Sequence, residues 1–198
     1  MAKTVGMVSL GCSKNRVDSE QILGMLKENG FEITNDEAQA EVIIVNTCGF
    51  INPAKEESIG AILEMAQHKK NGNCRLLVVT GCLSQRYPKE LREELPEVDG
   101  VLGTGSYGDI ADAVAEVMDQ GLRPCHLGNI HTADQSGERI LSTPPWYAYL
   151  RIAEGCDNHC AYCVIPSLRG KYRSRPMDEL LEEAKELDVV LVPYENER

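Results

Sequence analysis

The stretch Glu41-Val42-Ile43-Ile44-Val45-Asn46-Thr47-Cys48-Gly49 decides the fold: a run of β-branched apolar residues that ends on a polar turn carrying a cysteine and a glycine. A run that is apolar on both faces marks a central strand of a parallel sheet covered by helices. The pattern recurs at residues 4–10, which lead into Gly11-Cys12, and at residues 75–80, which lead into Gly81-Cys82. Residues 98–103 form a shorter fourth strand in this reading.

Helical patterns lie between the strands. Val17, Ile22, Met25 and Leu26 share one side of a helix that Gly30 stops. Asn52-Pro53 reads as a cap followed by proline at the first helical position, opening a helix whose inner face is Ile59, Ile62, Leu63 and Ala66. Residues 85–95 are helical, and residues 109–118 turn Ile110, Ala113, Val114 and Val117 inward. Strands alternating with helices imply right-handed crossovers and an α/β fold with a parallel sheet flanked by helices. The expected organisation is this α/β domain over residues 1–122 and a linker over 123–145, where Ser136-Gly137 and Thr143-Pro144-Pro145 are turn chemistry. A second unit then runs over 146–198. In it, residues 146–152 read as a strand, 177–187 as a helix and 189–192 as a closing strand.

The chain has 198 residues, 42% hydrophobic and 26% charged, which is enough for one packed domain and part of another. A net charge of −11 disfavours non-specific binding to phosphate backbones, which needs Lys and Arg to displace counterions, and suits a basic protein partner. The first ten residues lack the apolar core of a signal peptide, and no stretch reaches membrane-spanning length, so a cytoplasmic setting is expected. There the 8 cysteines stay reduced, and grouped ones point to metal or catalysis rather than disulfides.

Two groups stand out. Cys12, Cys48 and Cys82 each follow a strand beside a glycine, roughly 35 residues or one βα unit apart. Parallel strands deliver their carboxyl ends to one edge, where open α/β folds bind ligands, so three thiols can meet there. Structural zinc takes four protein ligands, and no fourth cysteine follows a strand, whereas three thiolates on an iron–sulfur cluster leave one iron open. The second group, Cys156-x3-Cys160-x2-Cys163, is tighter, with three sulfurs inside one loop and neither the partner pair of a zinc ribbon nor the fourth cysteine of a ferredoxin. His159 lies inside this loop as a spacer.

Cys-x3-Cys-x-aromatic-Cys, with Tyr162 as the aromatic, resembles the radical-SAM signature. The flanks Glu154-Gly155-Cys156-Asp157-Asn158 and Arg169-Gly170-Lys171-Tyr172-Arg173-Ser174-Arg175-Pro176 narrow the likeness to methylthiotransferases. Ser9-Leu10-Gly11-Cys12-Ser13-Lys14-Asn15, Val17-Asp18-Ser19-Glu20, Asn46-Thr47-Cys48-Gly49-Phe50-Ile51 and Thr80-Gly81-Cys82 resemble that family's N-terminal domain. The resemblance implies two [4Fe–4S] clusters, one on Cys12, Cys48 and Cys82 and one on Cys156, Cys160 and Cys163. It also implies S-adenosyl-L-methionine on the open iron of the second cluster, beside Tyr162, and a radical step that inserts a methylthio group.

The residues around Cys12 and Cys48 look like the branch that modifies the β-carbon of a ribosomal-protein aspartate, rather than the branch acting on tRNA adenosine. That implies a basic small-subunit ribosomal protein as substrate, with an external electron donor and sulfur source and no membrane partner. A non-catalytic iron–sulfur carrier and a zinc-bound structural module are the alternative readings of the same cysteines. Four cations between Arg169 and Arg175 could touch RNA phosphates, or equally form a solvated entry to the next helix. No acid–base dyad or activated serine is evident.

Gly103-Thr104-Gly105-Ser106-Tyr107-Gly108 matches the dinucleotide fingerprint in form but falls in the fourth unit rather than the first, and reads as tight-turn glycines. Cys74 and Cys125 read as incidental thiols, and His68, His126 and His131 as solvated. A full β/α barrel needs about 250 residues. The family's later barrel strands and C-terminal domain therefore have no counterpart here, and the chain reads as the truncated start of one.

Overall fold

The structure, a computed structural model, describes residues 3–132 and 138–187. The first domain runs β1 (Thr4–Ser9), α1 (Ser13–Glu28), β2 (Glu32–Ile33), β3 (Val42–Thr47), α2 (Asn52–Ala66), α3 (His68–Asn71), β4 (Leu76–Gly81), α4 (Cys82–Arg86), α5 (Pro88–Glu94), β5 (Gly100–Gly105), α6 (Ile110–Gln120) and β6 (Cys125–Gly128). The six strands pair in the order β2-β1-β3-β4-β5-β6, every pairing parallel. The order reverses between β1 and β3, so the sheet is doubly wound with its switch point at those two strands.

The expected α/β class is what forms, because the β3 run alternates its side chains between two apolar layers. Ile43 and Val45 pack with Ile62, Leu77, Val79 and Leu91 on the side of α2 and α5. Val42 and Ile44 pack with Val5, Ile22, Leu26, Val78 and Ile110 on the side of α1 and α6. Both β3 and β4 are buried along their whole length. Gly121 closes α6 in the left-handed region, φ 64°, where a side chain would be strained.

Several elements differ from the sequence expectation. Asn52 is the first residue of α2 rather than its cap, a position Ile51 takes. The buried face of α2 is Ser58, Ile62, Met65 and Ala66, leaving Ile59 and Leu63 exposed. The stripe is rotated because the Ser58 hydroxyl is tied to the backbone of Cys48. The helical stretch expected at 85–95 is two short helices broken at Tyr87-Pro88, since proline disfavours helical geometry in the residue before it. The sheet also continues into the segment read as linker, where β6 pairs with β5.

The remainder forms β7 (Ala153–Glu154), α7 (Ile165–Arg169), β8 (Arg173–Ser174) and α8 (Met177–Glu186). Here β7 and β8 pair as an antiparallel ribbon. Residues 146–152, expected as a strand, have no strand pairing, and Trp146 is 78% exposed. The strand expected at 189–192 lies outside the described residues.

Candidate functional site

The switch-point edge carries the first cysteine group. Ser9 registers with Asn46 and Thr47 with Gly81. One residue further along, Cys48 and Cys82 therefore occupy equivalent positions beyond β3 and β4, and Cys12 lies one step farther out beyond β1. A Cβ on Gly11 would stand 2.9 Å from the Cys48 Cβ and 3.3 Å from its sulfur, and φ at Gly11 is +91°, so only glycine lets the Cys12 turn lie so close. Cys12 is exposed, Cys48 half-buried and Cys82 buried.

Asn15, in the first turn of α1, ties this edge together. Its Nδ2 donates to the carbonyls of Leu10 (3.0 Å) and Thr47 (2.9 Å), and its Oδ1 lies 3.7 Å from the Cys82 sulfur. Asn46 in turn donates to the Asn15 carbonyl and the Ser19 hydroxyl. Two buried hydroxyls next to Cys82, Thr80 Oγ1 and Ser84 Oγ, make no hydrogen bond among the described residues. Orphaned donors of this kind at a thiol-rich edge suit a bound group that presents acceptor sulfur. Burial pushes the Cys82 thiol pKa up, against the pull of the neighbouring Arg169 guanidinium and in the same direction as nearby Asp18 and Cys48.

The second cysteine group sits in the loop between β7 and α7. Cys156 N donates to Gly170 O (3.1 Å), Cys163 N to Cys160 O (3.0 Å), and Asn158 N to the Cys156 sulfur (3.4 Å). Gly155, at φ +74°, lets the loop root pass against Lys171, whose carbonyl would stand 2.0 Å from any Cβ there. Cys160 is exposed and Cys156 and Cys163 are half-buried, while Tyr162 stands 86% exposed. Among the described residues, no three Cys, His, Asp or Glu side chains converge tightly enough to hold a single metal ion in either group.

What joins the two groups is a buried ionic network that the sequence reading did not foresee. Asp18, fully buried on α1, accepts from Arg151, Arg169 Nη1 (2.6 Å) and the Tyr107 hydroxyl (3.0 Å). Arg169 Nη2 donates to Asn15 Oδ1, and Glu154 lies 3.6 Å from Arg169. Burial alone would raise the Asp18 pKa, but Arg169 and Arg151 outweigh it and hold the carboxyl below the usual range. The same burial and the Asp18 charge push the Tyr107 hydroxyl well above its ordinary value. Lys14, two residues after Cys12, donates to Ala153 O (2.7 Å), three residues before Cys156. A second set links Glu20 to Ser142 and Arg139, and Glu183 to Arg139 and Arg175. The stretch Asp18-Ser19-Glu20-Gln21, buried in full on a helix, was the available signal.

The remaining motifs have structural explanations. A Cβ on Gly103 would meet Gln85 and Leu127, and one on Gly105 would meet Leu127 and Asn129. These glycines therefore serve close packing of β5 against β6 and α4 rather than a turn. Cys74 donates its thiol to Leu76 O. His126 pairs with Glu116 (3.3 Å), and His131 Nδ1 accepts from Lys171 N, so neither is simply solvated. A groove of about 430 Å³ between α2 and α5 is lined by none of the cysteines.

Fold and site together define a doubly wound α/β protein with cysteines at the carboxyl edge of its sheet and a second cysteine loop fastened beside them. Residues 4–103 match the family described as "Uncharacterized protein family UPF0004", and the chain belongs to that family. It is similar to the ribosomal protein uS12 methylthiotransferase RimO of Pelotomaculum thermopropionicum, 55% identical over 94% of this chain and 42% of that protein. It also resembles the RimO proteins of Desulforamulus reducens (50% identical, 98% of this chain and 46% of the relative) and Clostridium tetani (55%, 91% and 40%). The chain spans less than half the length of these relatives. No helix among the described residues is long and apolar enough to cross a membrane.

Proposed function

We propose that this chain is the cysteine-bearing part of a methylthiotransferase that inserts a methylthio group at the β-carbon of an aspartate in ribosomal protein uS12. The observation that carries this reading is the identity above half, along more than nine-tenths of this chain, with relatives named for that activity. Cys12, Cys48 and Cys82 hold one [4Fe–4S] cluster, supported by their shared edge at the switch point and the orphaned hydroxyls of Thr80 and Ser84. Cys156, Cys160 and Cys163 hold the other, with S-adenosyl-L-methionine at its open iron beside Tyr162. When bound, these groups supply the sulfur and the hydrogen-abstracting radical.

The chain's own residues keep the two centres in place. Ser58 and Gly11 fix the Cys48 turn, Gly155 and the Cys156–Gly170 bond fix the root of the second loop, and Lys14 holds that loop beside Cys12. The protein substrate, rather than tRNA, is favoured by the fate of the basic segment: Arg169 is buried on Asp18 and Arg175 is engaged by Glu183. Two of the four cations are thus unavailable to phosphate, and the net charge of −11 suits a basic partner. The reaction draws on an external electron donor and sulfur source in the cytoplasm.

Anaerobic reconstitution with iron and sulfide tests this. Replacing either cysteine group by alanine is expected to remove about half of the bound iron, each group holding a cluster of its own. With the sequence continued as in the relatives, uS12 should gain the mass of a methylthio group less the hydrogen it replaces. Zinc bound in place of iron and sulfide, or modification of tRNA instead of uS12, overturns the reading.

A further inference from the structure

We propose that Arg169 is a positioning residue shared by the two cysteine groups: carried on the helix that closes the second loop, its guanidinium sets the charge and geometry around Cys82 on the first edge. This rests on the cluster assignment made above.

Arg169 is 4% exposed, and its fork is used on two sides. One nitrogen meets Asp18 Oδ2, and the other meets Asn15 Oδ1, the same atom that lies 3.7 Å from the Cys82 sulfur. Its backbone is pinned on both flanks. Thr104 on β5 donates to Leu168 O, and Gly170, at φ +75°, accepts from Cys156 N while leaving no room for a Cβ against Ile130 O. A continuous path of bonded groups therefore runs from Cys156 through Gly170, Arg169 and Asn15 to Cys82. Among the described residues no cation from the first domain takes this place: Lys14 points to Ala153 and Glu154, and Arg86 donates to Gly49 O.

The physical consequence concerns charge. A cluster held by three thiolates is anionic, and reduction adds an electron to it. A buried guanidinium beside one thiolate stabilises the reduced form more than the oxidised one, and a low local dielectric strengthens that preference. Lysine carries the charge without the planar fork, so it restores the electrostatics but not the simultaneous grip on Asp18 and Asn15. The first centre is thereby completed by the second region, and its properties report whether that region is docked.

The test uses the full chain with Cys156, Cys160 and Cys163 replaced by alanine, so that only the first cluster is loaded. Iron content and the midpoint from an anaerobic redox titration followed by electron paramagnetic resonance are compared for R169Q, R169K and the control R175Q, which breaks an interface ion pair away from Asn15. R169Q is expected to move the midpoint to more negative potential and lower iron loading. R169K should recover the midpoint, and R175Q should match the parent. Circular dichroism checks folding. If R169Q fails to fold, the double variant D18N/R169Q is compared instead; it should move the midpoint in the same direction but by less, because losing the opposing Asp18 charge offsets part of the stronger effect of Arg169 at Cys82. A loaded parent whose midpoint is indifferent to R169Q, or shifts as far with R175Q, overturns the inference alone. A parent that takes up no iron and sulfide overturns the cluster assignment and the inference together.

Discussion

The sheet domain and the region after residue 138 are held by opposite means. The sheet closes on two apolar layers, with β3 and β4 wholly buried. In the later region Leu168 is the only buried apolar side chain among the described residues, while Trp146, Ile152, Tyr162 and Met177 stand in solvent. Its attachment is ionic: Arg151 and Arg169 converge on Asp18, Arg139 on Glu20, and all are nearly or fully buried. Apolar layers stabilise without choosing a register finely. Desolvated ion pairs contribute little net stability, because desolvation offsets their attraction, but they penalise any other arrangement heavily. The sheet supplies stability, and the ions on α1 supply placement.

The sharpest way to break this contrast is Asp18→Ala, which removes the carboxylate that two buried guanidiniums share. Docking of residues 138–187 should weaken by about 3–5 kcal/mol, the usual cost of removing one partner of a buried pair. Hydrogen exchange should show protection lost in α7 and β8 with β3 and β4 unchanged. Equal loss in the sheet would mean that the two regions are one cooperative unit. Leu77→Ala, fully buried near the start of β4, is the converse test. It should cost about 2–5 kcal/mol by leaving a cavity in the layer it shares with Ile43 and Val79, and it should lower the unfolding midpoint of the whole chain.

Acid should separate the regions as well. The folded Asp18 carboxyl lies below the usual range because Arg169 and Arg151 overcome the cost of its burial. A depressed folded pKa contributes stability that is complete above the unfolded value, about 3.9. That contribution is lost as pH falls through the lower folded one. Amide resonances of α7 should therefore hold their docked positions at pH 5 and leave them only in stronger acid. Loss of docking between pH 7 and pH 5 would assign the attachment to another group.

The two regions also differ in how far the sequence disclosed them. The sheet was legible because the β3 run and its repeats carry their own periodicity, and the strand-end positions of Cys12, Cys48 and Cys82 followed from that. The face of α2 was misjudged because a single hydroxyl, Ser58, outweighs two exposed apolar residues, a tertiary contact that no local pattern encodes. The short strand β6 was hidden in a segment rich in turn residues. The network was not legible at all in its role. Asp18 and Arg169 lie 151 positions apart, and charged residues are read by default as solvated. Only the run Asp18 to Gln21 on a packed helix hinted that polar groups there had partners.

The smallest expected effect completes the contrast, because it uses the same kind of ion pair in a different setting. Lys89 and Glu93 lie 3.8 Å apart, one helical turn from each other on α5, with 79% and 64% of their side chains exposed. Water screens that attraction and the long side chains lose rotamer freedom to form it, so Lys89→Ala should change stability by less than about 0.5 kcal/mol. Raising salt from about 0.1 M to about 1 M should erase even that, since the screening length falls from about 10 Å to about 3 Å. The Asp18→Ala defect, seated where solvent ions do not reach, should persist across the same titration. If both defects respond to salt alike, the Asp18 network is wetter than its burial implies, and placement of the second cysteine loop must come from elsewhere.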